Sequence, residues 1–353
     1  MELYVLNESN EILDIIPTFK SCIWNVQYFG QNDFELTVDA SKIAVLQPGN
    51  RLVRTDDVSS GVMKNVMAIQ NFEMTFDSEN GWLVKLTGKG LKNDILRRRI
   101  VWTQTNLTGT AEDGIRQVIT ENVISPTDDE RAIPNFTLET AKGYDETIDV
   151  QLFGENIAEW LETVCMTYGY GWDVYIDNGD YVFTLYKGTD RTYDQNVNPV
   201  VVFSPEFDNL LTSSYTYNLQ QFRNAAMIGG EGEGTSQRKA YIGTAEGLDR
   251  YEAYVDGSGV SSNGEIITVE TYTKMLQEYG QMEINKTEMN ETFTGSIDYL
   301  SPFTINEDFF LGDLVQIENE NGIKAAPRIT EVIYSEDDTG YTVVPTFSEW
   351  EVQ

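Results

Sequence analysis

A chain of 353 residues with 41% apolar and 12% aromatic residues is a folding sequence, and its length suits two or three cores better than one. Fifty-seven acidic against 24 basic residues give a net charge of −33, which repels nucleic-acid phosphates and anionic membranes. With no histidine, Ser-His-Asp and Cys-His nucleophile systems and imidazole-ligated zinc are excluded, and two cysteines cannot form a disulfide framework.

The N-terminal stretch Met1–Ile16 lacks a basic n-region and no run of eighteen apolar residues occurs, so neither a cleavable leader nor a membrane span is expected. From Glu2 to Lys89 hydrophobicity alternates with period two. Cys22, Trp24, Val26 and Tyr28 share one face, Phe34, Leu36 and Val38 share another, and Gly30–Asp33 joins them as a hairpin. Further strands are predicted at Arg51–Thr55, Val62–Asp77 and Trp82–Lys89, with turns at Asp56–Gly61 and Asp77–Gly81. Short antiparallel strands at this spacing suit a sandwich or small barrel. The basic cluster Leu96–Ile100 reads as a strand whose three arginines point to both faces and form ion pairs.

The period then changes. Ile115, Val118, Ile119 and Val123 fall on one face of a helix over Thr110–Val123, opened by a Thr110–Asp113 capping box. Ile157, Trp160, Leu161, Val164 and Tyr168 do the same over Gly154–Tyr168. Two alternating strands around Asn178-Gly179 follow as a hairpin. This α+β block, about Leu96–Asn198, reads as an insertion into a β framework. Strands return at Pro199–Phe203 and Leu211–Gly230. A polar span, Glu231–Gly264, leads to a helix at Val269–Ile284 with Tyr272, Met275, Leu276, Tyr279 and Met282 on one side. Strands at Glu291–Tyr299, Leu314–Glu318, Arg328–Ser335 and Gly340–Phe347 close the chain, with an Asn321-Gly322 turn between two of them.

Residues that carry chemistry are few. The Gly-rich Ile228–Lys239 lacks the Lys-Ser/Thr ending of a phosphate loop, carries glutamates where phosphate would sit, and reads as a turn. Asp177–Asp180 and Asp256–Gly259 offer oxygens, yet neither fits a twelve-residue calcium loop, and both are read as turns. Cys22 and Cys165 lie in apolar patterns and are expected to be buried thiols. An acid-pair glycan hydrolase remains open among 57 acids, but no pair stands in a recognisable signature. No catalytic, cofactor or metal residue is assigned. The acidity itself fits solubility or a saline habitat equally well.

One motif occurs twice. In Ala44–Asp57 and again in Phe309–Ser335, Gly followed by Asn or Asp stands directly before an alternating strand, about 260 residues apart. Together with "FGQNDFELTVDASKIAVLQPGNRLVR", "LTGKGLKNDILRRRIV", "NAAMIGGEGEGTSQRKAYIG" with "GLDRYEAYVD", and "FFLGDLVQIENENGIKAAPRITEVIYSEDDTGYTVVPTF", it makes the chain resemble the tail hub, or tail-associated, proteins of long-tailed bacteriophages and prophages. These segments span most of the chain and correspond in order to the family's opening hairpin, the exit from its first barrel, its middle signature and its closing barrel.

The resemblance implies a mainly β fold with α+β insertions and two tail-tube-like barrels. The first barrel would take residues 1–95 and an inserted α+β domain 96–200. The second barrel would take 201–235 with 285–353, and a small inserted domain with a helix 236–284. It further implies a homotrimer whose six barrels ring the channel for genome passage at the virion tail tip. Partners would be a distal tail or tail-tube ring protein, the tape-measure protein and a tail fibre or tip protein, with no specific nucleic-acid binding, no membrane insertion and no cofactor. Ending at Gln353, the chain is expected to lack the hydrolase or fibre region that some relatives carry, which points away from an enzyme. A cell-wall glycan hydrolase or a glycan-binding tail module is the alternative.

Overall fold

The computed structural model describes residues 1–79, 81–264, 266–287, 291–297, 303–318 and 324–347. The first ninety-odd residues form β1 (Leu3–Leu6), β2 (Ile12–Ile16), β3 (Ser21–Gln27), β4 (Asp33–Asp39), β5 (Arg51–Arg54), β6 (Val58–Ser59), β7 (Val62–Met63), β8 (Met67–Asp77), β9 (Gly81–Gly90) and helix α1 (Leu91–Leu96). There follow β10 (Thr105–Thr110), α2 (Ala111–Ile119), β11 (Phe136–Leu138), β12 (Thr147–Leu152), α3 (Ile157–Tyr168), β13 (Gly171–Asp177) and β14 (Asp180–Tyr186). Next come β15 (Asp190–Arg191), β16 (Val202–Phe203), β17 (Leu210–Tyr217), β18 (Ala225–Gly229), β19 (Lys239–Ile242), β20 (Glu252–Asp256) and α4 (Val269–Ile284). The last strands are β21 (Glu291–Ile297), β22 (Leu314–Glu318), β23 (Lys324–Ala325), β24 (Ile329–Asp337) and β25 (Gly340–Phe347).

The two ends of the chain, expected as separate β units, share one sheet. Eleven strands run in the order β17-β21-β25-β24-β3-β4-β9-β8-β5-β1-β2, and the sheet curls into a half-barrel. The join is β24 against β3, antiparallel from Glu331 opposite Gln27 to Asp337 opposite Ser21. Its buried side is the predicted one. Cys22, Trp24, Val26, Phe34, Leu36 and Val38 pack with Ile329, Val332 and Phe347 from the far end of the chain, because alternate side chains of a strand reach one face.

A repeat is built into this order. The strands β3-β4-β9-β8 and β17-β21-β25-β24 are two sets of four, all antiparallel, each with its last two members exchanged in the same way. The register matches too. Ile69, Asn71 and Asp77 of β8 stand where Ile329, Glu331 and Asp337 of β24 stand, and both strands slip register directly after the isoleucine, at a β-bulge. The duplicated Gly-Asn/Asp lead-in belongs to the same repeat. Gly49 and Gly312 have φ of 97° and 95°, a left-handed conformation that costs a non-glycine residue about 1–2 kcal/mol.

The α+β block shares a sheet and a core with the first β unit. Its five-stranded sheet, β11-β14-β13-β7-β6, takes β6 and β7 from before the block. Its core brings Leu6, Val53, Val66 and Leu91 together with Ile115, Leu161, Val164 and Trp172. The Asn178-Gly179 hairpin forms as predicted, with both residues at positive φ. Helix α2 is capped by the Thr110 hydroxyl, which accepts from the Asp113 amide at 3.1 Å. Beyond Ile119 it passes into a π-helical turn, Thr120–Ile124, so the predicted single helix changes pitch before Val123. Helix α3 starts at Ile157 rather than Gly154, because the Asn156 side chain caps it and Gly154 sits at φ 88°.

Two further expectations need correction. The strand predicted over Val62–Asp77 is broken at Lys64–Val66, where Asn65 turns left-handed at φ 51°. The arginine cluster is not a strand. Leu91–Leu96 is helical and Arg97–Arg99 follow its end. The predicted ion pairs are present: Arg97 and Arg98 grip the buried Asp94 carboxylate at 3.2 and 2.6 Å, geometry that one helical turn supplies and a strand does not. Helix α4 has its predicted bounds and sets Tyr272, Met275 and Leu276 against Ile228 and Ala240 of the β18-β19 hairpin. The Asn321-Gly322 turn, Asn80 in the Asp77–Gly81 turn, and Asp298 and Tyr299 of the strand predicted at Glu291–Tyr299 lie outside the described residues.

Candidate functional site: an open strand edge and an acidic sheet face

The tandem repeat ends at β17 on one side and at β8 on the other, where the sheet continues through β5 and β1 to β2. Among the described residues strand β17 pairs only with β21, leaving its other edge open. Strand β8 meets β5 only through Ala68 opposite Arg51 and Met67 opposite Leu52. From Asn71 to Asp77 it has β9 on one side and, among the described residues, no strand on the other. The matching stretch of β24, Glu331–Asp337, is covered along its whole length by β3.

Side chains follow the same contrast. Met74, Phe76 and Trp82, near the tip of the β8-β9 hairpin, are 45%, 64% and 55% exposed. Met74 faces the buried Val84 across the ladder, so these residues lie on the core side of the sheet, beyond the point where the core stops. Phe76 and Trp82 pack on each other with ring centres 5.4 Å apart. The counterpart of Met74 is Tyr334, which is buried, with the Arg54 guanidinium 3.6 Å from its ring centre. Arg54 in turn forks onto Asp57 at 2.7 and 3.0 Å. What is sealed inside one repeat is open in the other.

The opposite face of the sheet is polar. By strand alternation it presents Asp33, Glu35, Asp39, Glu73, Glu331 and Asp337. Against them stand Lys85 and Lys89, each already paired, to Glu35 at 2.8 Å and to Asp33 at 3.3 Å. Such exposed pairs add little to stability, but they cancel both cations and leave the face acidic.

The residues flagged from the sequence fall elsewhere and take structural roles. Ile228–Lys239 is the end of β18, a loop and the start of β19. Glu231, in the position where a phosphate loop would hold its ligand, accepts from Ser262 Oγ at 2.6 Å, from the Ser262 amide at 2.8 Å and from Ser261 Oγ at 3.0 Å. The Ser262 bonds hold its carboxyl below the usual range. The loop is therefore closed on its own carboxylate. Asp177–Asp180 is the β13-β14 turn, and Asp256 caps the Ser258 amide at 3.0 Å. Among the described residues no cluster of His, Cys, Asp or Glu is arranged to hold a metal ion. Cys22 and Cys165 are both buried free thiols, and burial raises Cys22 to about 12.

Two clefts remain. One, of about 530 Å³, lies between β12, α3 and α4, with Glu155, Glu159, Glu162 and Glu283 around Trp160. Burial raises the Glu162 carboxyl, with Lys92 opposing it. The other, of about 640 Å³, lies between β13-β14 and β24. Of its charged groups, Lys187 pairs with Glu146, Lys142 with Glu139 at 3.2 Å, and Asp313 with Arg191 at 2.6 Å. The feature that sequence reasoning missed is the open β8 edge. The repeat behind it did leave a signal, the parallel between "AIQNFEMTFD" and "RITEVIYSED", which share the isoleucine, the following polar residue and the final Asp, but neither segment marks which edge is paired.

The model of the family described as Siphovirus ReqiPepy6 Gp37-like protein matches residues 2–347. No individual curated protein matches the chain in sequence. Solved structures share its fold at low identity, among them three tail proteins. The tail protein from Neisseria meningitidis MC58 has TM-score 0.59 and 14% identity, over 98% of this chain and 96% of its own. The prophage MuSo2 43 kDa tail protein from Shewanella oneidensis has TM-score 0.58 and 14% identity, over 99% and 98%. The prophage tail protein gp18 from Listeria monocytogenes EGD-e has TM-score 0.54 and 13% identity, over 98% and 94%.

Proposed function

The chain belongs to the Siphovirus ReqiPepy6 Gp37-like family of phage tail proteins, and from that premise we propose that it is a structural hub at the tail tip. Three copies close a ring that joins the tail tube to the tip and surrounds the channel for DNA. The observation that carries this reading is the tandem four-strand repeat within one sheet. Each copy offers two equivalent units, so a ring of three meets a sixfold tube ring with six. An open edge at each end of the repeat lets such a sheet continue from copy to copy, and a head-to-tail contact of this kind closes as a cyclic ring.

In this reading the two tube-like barrels comprise 1–95 and 201–235 with 285–353, and the α+β units 96–200 and 236–284 lie outside the ring. Neighbours are the distal tail or tube ring protein, the tape-measure protein and a fibre or tip protein. The acidic face carrying Asp33, Glu35, Glu73 and Glu331 lines the channel, where it repels phosphates instead of binding them. Screening over about 8 Å at physiological salt keeps that repulsion short in range. No residue is given a catalytic role: the acids of the α3-α4 cleft, Glu162 included, are read as part of the folded framework. Copy number tests the reading. Quantitative mass spectrometry of purified tails is expected to give three copies per tail, and one or six would overturn it.

A further inference from the structure

The repeat predicts more than a ring, because it fixes how one copy meets the next. Within the chain, β24 of the second repeat is sealed by β3 of the first, with Tyr334 opposite Trp24. Met74 holds the place of Tyr334, since Met74 faces Val84 and Tyr334 faces Val343 in ladders of the same register. Tyr215 holds the place of Trp24: Trp24 faces Phe34 and Phe34 faces Gly88, while Tyr215 faces Phe293 and Phe293 faces Phe347, the counterpart of Gly88.

Resting on the proposed ring, we infer that the open Asn71–Asp77 edge of β8 takes the open edge of β17 from the next copy of this chain, antiparallel, with Met74 opposite Tyr215 and Asp77 opposite Thr212. Two observations meet here. Among the described residues the edge is uncovered on both strands, and an uncovered ladder of this length is a site for uncontrolled pairing unless a partner occupies it. Independently, Met74 and Phe76 stay exposed and apolar on that edge, whereas Tyr334, at the place of Met74, is buried with the Arg54 guanidinium over its ring and Asn306 on its hydroxyl. A second copy is the occupant because the chain already contains the mating strand once, in β3, seated on the equivalent edge.

The register also says which pair can be cross-linked. The Tyr28 amide donates to the Thr330 carbonyl at 2.8 Å, so hydrogen-bonded pairs of the internal seam fall on that parity, and Ser335 with Ile23 is a non-hydrogen-bonded pair. Thr75 and Ser214 are its counterparts between copies. Opposed residues at such a site have Cα atoms about 4.5 Å apart, within reach of a disulfide. The native Cys22 and Cys165 are buried and do not compete.

The test uses assembled tails carrying Thr75→Cys with Ser214→Cys, treated with a mild oxidant and run on a non-reducing gel. The expected product is a covalent trimer that returns to monomer on reduction, while Thr75→Cys with Asn218→Cys, out of register, stays monomeric. Monomers from the first variant, equal cross-linking in both, or a product with a different tail protein would overturn the seam. If wild-type tails lack the chain at the tip, the hub reading fails instead. Should the double variant not enter tails, Met74→Glu decides. It lies on an exposed position, so the purified chain is expected to keep its unfolding midpoint while occupancy in tails falls at least tenfold; wild-type occupancy would overturn the seam.

Discussion

Ile69 and Ile329 are held by the same pair of backbone hydrogen bonds at opposite ends of the chain. Ile69 accepts from the Gly49 amide at 3.3 Å and donates to the Asn50 carbonyl at 3.0 Å; Ile329 accepts from Gly312 at 2.8 Å and donates to Asp313 at 2.9 Å. A left-handed glycine followed by Asn or Asp thus clamps the strand before its bulge in both repeats. The local chemistry was duplicated along with the strand order.

The two glycines are nevertheless not equally replaceable. A Cβ on Gly312 would run into the ring of Tyr28, whose hydroxyl is fixed by bonds to the Gly169 and Tyr186 carbonyls. One on Gly49 meets only the end of the Glu8 side chain, at 2.6 Å, which can swing away. Gly312→Ala is expected to cost about 2–4 kcal/mol from backbone strain and overpacking together, and Gly49→Ala about 1–2 kcal/mol from strain alone. Urea unfolding measures both. Equal losses would mean that the Tyr28 ring does not constrain the second clamp.

Leu161 is fully buried between α3 and the β13-β14 hairpin. Leu161→Ala should destabilise the chain by about 2–5 kcal/mol, the range for a buried leucine that leaves a cavity. An unchanged unfolding midpoint would mean that α3 turns a different face to the hairpin.

Lys92 gives the fold a signature in alkaline solution. It is buried, donates to the Gln27 carbonyl at 2.8 Å and the Trp172 carbonyl at 3.2 Å, and lies 4.7 Å from the Trp172 ring centre. Burial lowers its pKa to about 8, with Asp173 and Glu162 opposing the shift. The folded chain therefore holds this proton more weakly than the unfolded chain does. Below pH 8 both states are protonated and the penalty is constant; it is relieved as pH rises from about 8 to 10.5. Relative to Lys92→Met, the wild type should gain roughly 3 kcal/mol across that window. Parallel stability curves for the two proteins would contradict the assignment.

Local structure was legible where a local rule sets it. The 3.6-residue spacing of Ile157, Trp160, Leu161 and Val164 gave α3, Asn178-Gly179 gave its hairpin, and α4 kept its bounds. Where two signals competed, the wrong one was weighed: the arginines after Leu96 drew attention from Leu91 and Ile95, whose i, i+4 spacing marks the short helix they follow. The choice of strand partners was not legible. Alternation in Ile329–Asp337 says which face is buried but not that β3, some three hundred positions earlier, lies alongside. The open edge was hidden for the same reason, since an unpaired strand and a paired one carry the same alternating pattern.

A reconstruction of the tail tip from intact particles tests the central claim most directly. The account predicts three copies closing one ring, with six equivalent four-strand units around the lumen. Asp33, Glu35, Glu73, Glu331 and Asp337 should face the channel, and Lys85 and Lys89 should remain paired. One copy or six at the tip, or a lumen wall that is neutral or basic, would contradict it.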